Sequence, residues 1–404
     1  MAGDDRRHTP GGGGFAMTTS TGRPIADAGN RARPGARNAG EPAAAGAAAG
    51  HGRSRAERRA ALGWRMQLVR AAIWEASATG DDYTRLLLGP GDDETEAAIV
   101  EAIGRRGAIS RSVAGTLVVC DRSLSFDVLG DARFGRRGPD GAPSPLQVLE
   151  LPGSGLDADD PAGDPWPTPD RDTLARLAGR VVTAWRASPP VASRDAVALV
   201  RTLAVDVVSH ITGVDAGVLA SVWPRLTPAL DARLSPQRLD DAWDVLRATS
   251  HLRLILREAG TDPDAAPLRI GTLLVWASTL ERSLLGALGA AGASGAAGTA
   301  GFVPAIRLHP RVASTDTILG GLEVSAGDQV VVLDTGSAAQ EDHSLLRAAG
   351  GPEAAAAGLL EAIPAALVDV FRDRSERPVV HVDVLAQRSP VARRVVAASV
   401  SKGT

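Results

Sequence analysis

Hydrophobic residues recur every three to four positions over most of the chain beyond residue 53, and this period predicts helices. Four such stripes lie at residues 62–73, 174–185, 197–211 and 239–254. Two of the predicted helices end at a glycine, Gly213 and Gly260, as helices often do. The segment 270–288 is apolar on most faces, which predicts a central and largely buried helix. The pattern therefore predicts a mainly helical domain.

Short runs of β-branched residues lie near both ends of this helical body. They occur at residues 108–113, 116–121, 317–324, 329–333, 379–384 and 395–400. The first two runs flank a glycine turn, which predicts a hairpin, and Gly320-Gly321 predicts a second hairpin that continues into 329–333. An alanine-rich helix is expected from Pro352 to Phe371. The predicted fold class is therefore mainly α with small β-sheets.

The first 53 residues show no apolar periodicity. The segment is rich in Pro, Gly, Ala and Arg, and it cannot bury enough apolar surface to offset the entropy of ordering. We therefore expect a disordered segment at 1–53 and a single domain at 54–404. Arg6-Arg7 is followed by His-Thr-Pro and four glycines instead of an apolar stretch, so a twin-arginine export signal is not expected. The sequence predicts a cytoplasmic protein.

Charge and cysteine content exclude several classes of protein. The chain has 44 Lys and Arg against 47 Asp and Glu, and this near balance gives no electrostatic support for a nucleic-acid partner. A run of about 18 apolar residues, which a membrane span needs, does not occur. The single cysteine, Cys120, rules out a disulfide scaffold and a site made of several thiolates. It follows Val118 and Val119 at the end of a predicted strand, which favours an inert thiol over a nucleophile.

The sequence lacks the motifs of common catalytic sites. It has no His-Glu-x-x-His and no Gly-x-Ser-x-Gly elbow before a helix. The run Gly11–Gly14 is not followed by Gly-Lys-Ser/Thr, so it is not a P-loop. The glycine-rich segment 286–292 follows a helix and not a strand, unlike a dinucleotide-binding fingerprint. We therefore predict no catalytic residues and no metal site.

A stretch near the end of the chain is more specific. Its matching residues are Arg311, Ala313, Asp316, Gly321, Ala326, Gly327 and Val330. It resembles the bacterial cytochrome P-450 pattern R-x-A-x-x-D-x-x-x-x-G-x-x-I-x-A-G-x-x-V, with Val324 in place of the isoleucine. Residues 116–134, 336–342 and 388–393 resemble the first hairpin of that family with the helix after it, the turn after the pattern, and the last β turn. The resemblance covers residues 80 to 404.

The resemblance implies a cytochrome P-450-like fold that is truncated in the haem-thiolate loop. A cysteine thiolate holds the haem iron in that family, and Cys120 lies too early in the chain to match it. Asp342 is followed almost directly by what looks like the helix after the missing loop. The Glu-x-x-Arg motif of the family is kept only as Arg307, with Pro304 at the glutamate position. We therefore expect no cofactor and no enzyme activity.

Two positions of the central helix bear on oxygen chemistry. Thr279 stands where the resemblance places the threonine of the family, whereas Ser278 replaces the acidic residue used in oxygen activation. A haem held by a histidine such as His309 is the remaining route to a haem protein, and a working haem monooxygenase is the corresponding alternative function.

Haemless relatives of cytochrome P-450 act as auxiliary partners of glycosyltransferases that attach deoxysugars to macrolide or aromatic polyketide aglycones. The resemblance therefore implies a non-catalytic protein of antibiotic biosynthesis that binds and activates such a glycosyltransferase. The helical front half of the chain is the implied contact region, where Arg176, Arg180 and Arg186 flank an apolar stripe. The alternative for these residues is that the stripe is core and the arginines are simply solvated. A different function, a small-molecule protein that binds the aglycone in the old substrate cavity, also remains open.

Overall fold

The computed structural model describes residues 54–89, 93–144, 146–159, 163–187, 194–235, 237–292, 306–335, 343–373, 380–386, 390–392 and 395–402. The predicted disordered segment at 1–53 and the turn predicted at 336–342 lie outside these ranges. They stay predictions, as does the division of the chain at residue 53.

Helices make up most of the described chain. They are α1 (Arg55–Ala78), α2 (Asp82–Leu87), α3 (Asp93–Arg105), α4 (Arg122–Gly130), α5 (Arg171–Ala187), α6 (Ala196–Thr212), α7 (Ala216–Leu226), α8 (Ala229–Leu234), α9 (Leu239–Glu258), α10 (Ala266–Gly292), α11 (Ser344–Ala349) and α12 (Gly351–Asp373). The helices that the apolar stripes predict correspond to α1, α5, α6, α9 and α10. The short helices α2, α7, α8 and α11 were not predicted.

Among the described residues the strands are short and form three sheets. They are β1 (Ile109–Arg111), β2 (Leu117–Val119), β3 (Phe134–Gly135), β4 (Arg194–Asp195), β5 (Leu308–Ala313), β6 (Thr317–Leu319), β7 (Leu322–Val324), β8 (Gln329–Leu333), β9 (Val380–Ala386) and β10 (Val395–Lys402). The largest sheet has the order β1-β2-β8-β5-β3, a second has the order β4-β10-β9, and β6 pairs with β7. The mainly helical fold with small sheets is as predicted.

Side-chain caps fix where several helices begin. Ser54 accepts a hydrogen bond from the backbone of Glu57, and Glu57 accepts one from the backbone of Ser54, so a capping box starts α1. Asp195 caps α6 by accepting from the Ala198 N–H. The same helix ends at Gly213, which takes a left-handed conformation with φ of 72° that few other residues adopt. The glycine stop read from the sequence is therefore correct.

The five-stranded sheet corrects one sequence prediction. Residues 317–324 do form a hairpin, with positive φ at Gly320 and Gly321. β8 does not extend that hairpin, because it pairs in parallel with β2 and antiparallel with β5. Val330, Val331 and Val332 of β8 are fully buried, so the strand belongs to the centre of the larger sheet.

The core is built around α10, as its apolar sequence predicts. Leu274, Val275 and Leu280 are fully buried, and α10 packs against α6, α9 and α12. Burial on several faces explains why this helix lacks an amphipathic pattern.

Within the described ranges no single helix is both long and apolar enough to cross a membrane. The bent pair Ala196–Thr212 and Ala216–Leu234 meets that test by length and composition alone.

Candidate functional site

The helices α10 and α12 are in direct contact. The indole Nε1 of Trp276 on α10 donates a hydrogen bond to the carbonyl oxygen of Ala356 on α12 at 3.3 Å. At Gly271, a Cβ atom would lie 2.5 Å from Cγ of Pro352, so the two helices are as close there as a glycine allows. Trp276 and Ala356 are both almost completely buried.

The loop before α5 closes the same region. Trp166 stacks on Trp276 with ring centroids 5.8 Å apart. A Cβ atom at Gly358 of α12 would lie 2.6 Å from the hydroxyl oxygen of Thr168. Two indole rings and a tight loop-to-helix contact therefore fill the space beside the α10–α12 contact.

These contacts decide whether a haem could bind where it does in cytochrome P-450. In that family the thiolate precedes the helix that corresponds to α12, and the oxygen-activating residues lie on the helix that corresponds to α10. A haem therefore needs space between the two helices, and here Gly271 meets Pro352 and Trp276 meets Ala356. The residues present do not fit a haem in this position.

Two residues that could take part in haem or oxygen chemistry, Thr279 and Cys120, have structural roles here. Thr279 is fully buried and donates its hydroxyl to the Val275 carbonyl of its own helix at 2.6 Å. Cys120 is half-buried beside β2, and burial raises the pKa of its thiol to about 11. At neutral pH this thiol is protonated, which disfavours a nucleophilic role. The inert role predicted for Cys120 agrees with this environment.

His309 lies in β5 and is 1% exposed. Burial, together with the neighbouring Arg311 and Arg136, lowers the pKa of its imidazole to about 4 against the opposing effect of Glu353. The ring is therefore neutral at physiological pH. It lies on the sheet near the charged side chains of Arg311, Arg136 and Glu353.

A buried ion cluster surrounds that histidine. Arg136 donates to both carboxylate oxygens of Glu353, at 2.9 and 2.8 Å, and to the carbonyl oxygen of Ala349 at 2.9 Å. Arg311 donates to the same carbonyl at 2.7 Å. Burial alone would raise the pKa of Glu353, but Arg136 and Arg311 lower it to about 2, so the carboxylate stays charged. The cluster ties β3 and β5 to the end of α11 and the start of α12.

Sequence analysis missed this cluster because its members are far apart along the chain. Arg311 is the first residue of the matched pattern, but nothing in the sequence pairs it with Arg136 or Glu353. Arg307, the remnant of Glu-x-x-Arg, is also paired: its guanidinium donates to the carboxylate of Glu96 on α3. Arg307 is therefore paired with the carboxylate of Glu96, which is distant in the sequence, because the glutamate position of the motif is held by Pro304.

The structure places the predicted partner residues on α5. Leu174, Leu177 and Val181 are buried, so the apolar stripe is core. Arg176 and Arg180 are exposed on the other side of the helix. Arg186 lies in the last turn of α5, and its side chain is outside the described part of the structure.

A surface groove runs along α5 beside these arginines. Its volume is about 730 Å³, and its lining includes Thr173, Arg176, Leu177, Arg180, Ala184 and His210. A second depression of about 390 Å³ between α5 and α6 shares Arg180 and also contains Asp206. Burial raises the pKa of the Asp206 carboxyl, and Arg180 opposes that shift.

Within the described ranges, no three His, Cys, Asp or Glu side chains lie close enough to hold a metal ion.

The fold defined by these helices and sheets is that of the cytochromes P450. The open cytochrome P450 EryK from S. erythraea superposes with a TM-score of 0.58 at 15% identity, over 78% of this chain and 97% of that one. Epothilone D-bound cytochrome P450epoK superposes with a TM-score of 0.57 at 15% identity, over 79% and 98%. No family model matches the chain.

Sequence relatives give the family. The chain is 34% identical to Protein TylM3 of Streptomyces fradiae, over 71% of this chain and 73% of that protein. Protein DesVIII of Streptomyces venezuelae is 29% identical over 67% and 72% of the two chains, and the cytochrome P450 family protein EryCII of Saccharopolyspora erythraea is 29% identical over 68% and 75%. The chain belongs to the family of cytochrome P450-like proteins that includes TylM3 and DesVIII. The resemblance read from the sequence is confirmed.

Proposed function

We propose that this chain is a non-catalytic auxiliary protein that binds and activates a deoxysugar glycosyltransferase of polyketide antibiotic biosynthesis in the cytoplasm. One observation carries the proposal: the chain keeps the P450 fold, whereas the α10–α12 contact fills the place where haem chemistry would occur. Kinship with TylM3 and DesVIII supports it. A fold that is retained without its chemistry is suited to serve as a binding surface.

The activating effect needs only a difference in affinity. A protein that binds the competent conformation of the transferase more tightly than other conformations shifts the population towards it. The same preference raises the stability of the bound transferase by mass action. No bond is made or broken by the auxiliary protein itself.

Within this proposal, Arg176, Arg180 and Arg186 on α5 attract an acidic surface of the transferase. The exposed position of Arg176 and Arg180 beside the α5 groove supports this role. Exposed charges contribute mainly to the rate of association, since solvent screens them in the final complex. They would thus steer the encounter and contribute little to the affinity.

Sugar transfer by the proposed partner, a deoxysugar glycosyltransferase of polyketide biosynthesis, tests the proposal. The transferase is produced with and without the full chain, and turnover and co-elution are measured. We expect a large gain in turnover together with a complex that co-elutes in size-exclusion chromatography. No gain and no complex would refute the auxiliary role. Micromolar binding of the aglycone to the chain alone, about −8 kcal/mol, would then favour the small-molecule alternative.

A further inference from the structure

The α5 groove is long and shallow. Its lining runs along α5 from Thr173 to Ala187, a length of about 21 Å at the rise of an α-helix, and includes His210 of α6. A volume of about 730 Å³ over that length gives a mean cross-section of about 35 Å². A helix with its side chains is about 10–12 Å across, so the groove admits the side chains of one helix face. This shape suits an elongated occupant that lies along α5 better than a compact small molecule.

The charged side chains of the α5 groove include two guanidinium groups. Arg176 and Arg180 are four residues apart, so they share one face of α5 and are separated by about 6 Å along its axis. Arg176 donates to the hydroxyl oxygen of Thr173 at 2.9 Å and acts on Asp170 at longer range. Arg180 acts on Asp206 at longer range. Within the described ranges neither guanidinium forms an ion pair with a carboxylate, so both can bind an incoming one.

Other exposed arginines of the described surface differ in this respect. Arg105 pairs with Glu101 at 2.7 Å, and Arg171, at the start of α5, pairs with Asp369 at 2.5 Å. These countercharges come from the chain itself. Two neighbouring arginines without such a partner therefore make the α5 groove complementary to an acidic surface.

Two segments that follow α5 and α10 cannot neutralise these arginines. Residues 188–193, directly after α5, read Ser-Pro-Pro-Val-Ala-Ser, and residues 293–305, directly after α10, contain no charged side chain. A protein partner is already required by the proposed function. We therefore take the countercharge from that partner.

The far half of the α5 groove is lined by small side chains. Ala184 and Ala187 are exposed, and Leu177 is buried at the base of the helix face. The distance between two packed helices depends on the side chains at their contact, so alanines permit a close approach. A second helix can thus lie along α5, with charged contacts at one end and apolar contacts at the other.

We infer that a helix of the glycosyltransferase docks along the α5 groove, with two acidic side chains four residues apart opposite Arg176 and Arg180. Carboxylates at that spacing repeat the separation of about 6 Å between the two arginines. Apolar side chains further along the docking helix pack over Ala184 and Ala187. The charges set the rate and the register of association, and the apolar contacts slow dissociation. This inference rests on the proposed function and names the element of the partner that is recognised.

Association kinetics of the full chain with the purified transferase test the charged half. The double variant Arg176→Glu and Arg180→Glu should lower the association rate constant about tenfold at low salt. The difference should shrink in about 0.5 M salt, because ions screen exposed charges. The control is Arg238→Glu with Arg257→Glu at the two ends of α9, where both side chains are exposed. It changes the net charge equally and should have a much smaller effect.

Filling the groove tests the apolar half. Ala184→Trp places an indole where the docking helix has to lie, so we expect the dissociation constant to rise about tenfold or more through faster dissociation. The control is Ala98→Trp at an exposed position of α3, which should leave binding unchanged. Circular dichroism and the thermal midpoint would report whether each variant keeps its fold.

Photo-crosslinking identifies the occupant. Asp172 is exposed and lies one turn before Arg176 on the same face of α5. With p-benzoylphenylalanine in place of Asp172, we expect crosslinks to a transferase helix that carries two acidic residues four apart, which peptide mass spectrometry detects. Crosslinks to a second copy of this chain, or to a transferase segment without such a pair, would overturn the inference.

A small anion is the other candidate occupant. Calorimetric titration with inorganic pyrophosphate is expected to show no saturable binding to the chain alone. Micromolar binding that the Arg176/Arg180 double variant abolishes, while that variant still associates normally with the transferase, would make the groove a small-anion site instead.

The remaining outcomes keep the inference and the proposed function apart. If the wild-type chain binds and activates the transferase and the groove variants do so equally well, the docking site lies elsewhere and the auxiliary function stands. If charge reversal slows association but Ala184→Trp has no effect, the arginines steer without docking in the groove, and the inference fails. If the wild-type chain does not bind the transferase, both fail.

Discussion

A single buried carboxylate holds several elements of this fold in place. Glu353 is 4% exposed at the start of α12, and Arg136 binds both of its oxygens. Because a helix N-terminus also favours negative charge, the position suits a carboxylate on two grounds. A buried ion pair adds modest net stability, but the loss of one partner leaves the other charge buried and unpaired.

We therefore predict that Glu353→Gln destabilises the folded state by about 3–5 kcal/mol, since the Arg136 guanidinium stays buried without its counterion. Urea denaturation would measure the change. The matched control is Glu361→Gln, which removes a half-buried carboxylate bonded to Arg347 and should cost at most about 1 kcal/mol. Equal effects of the two substitutions would contradict the assigned importance of the buried cluster.

The same carboxylate makes stability depend on pH. Although burial opposes ionisation, Arg136 and Arg311 lower the pKa of Glu353 from 4.5 to about 2. The stabilisation is therefore fully present above pH 4.5 and is lost as the pH falls from 4.5 towards 2. Glu353→Gln should flatten this part of the stability profile, which urea denaturation at a series of pH values would measure.

The close packing of α10 against α12 requires a glycine at position 271. At Gly271 a Cβ atom would overlap Ser154 O and lie 2.5 Å from Cγ of Pro352. Gly286 on the same helix has nothing within 4 Å of its Cβ position. The two glycines are therefore a matched pair, one required by packing and one not.

Alanine substitutions at these two positions should act in opposite directions. Gly271→Ala should destabilise the protein by about 1–3 kcal/mol through overpacking. Gly286→Ala should stabilise it by about 0.5–1 kcal/mol, because alanine loses less backbone entropy in a helix. Urea midpoints measured side by side would test this. Stabilisation by both substitutions would mean that α10 and α12 are not in contact at Gly271.

Local sequence signals account for the predicted elements and for those missed. The stripes of α5, α6 and α9 and the all-apolar α10 are set by burial, which leaves a clear period in the sequence. β5 was missed because it contains Pro310, which is rare in strands, and because the burial of His309 and Arg311 depends on partners elsewhere in the chain. α7 was missed because it is short and contains Pro224.

The exposed face of α1 shows a second limit of sequence reasoning. The period of residues 62–73 predicts the helix and its buried side correctly. Trp64 and Leu68 add a second apolar side, and periodicity alone does not reveal which side the fold covers. That information comes from the packing of α1 on α2 and α9.

At the scale of the whole molecule, the fold is that of an enzyme class whose cofactor position is filled by protein. The Trp166–Trp276 stack and the α10–α12 contact are core packing, and opening them for a macrocycle would expose buried apolar surface at a cost of about 25 cal/mol per Å². Haem binding would thus have to offset the loss of the protein's own core. The free energy therefore favours the structure without haem, in which α10 and α12 stay in contact.

Titration of the purified full chain with haemin is therefore expected to give no Soret band that saturates at one equivalent, and no rise in thermal midpoint. A ligand bound specifically to the folded state would raise that midpoint in proportion to the logarithm of its concentration. Apomyoglobin treated in the same way provides the positive control. A saturating band with increased thermal stability would contradict the closed core. Its loss in His309→Ala would then identify the histidine as the ligand, whereas its persistence would require a ligand from elsewhere.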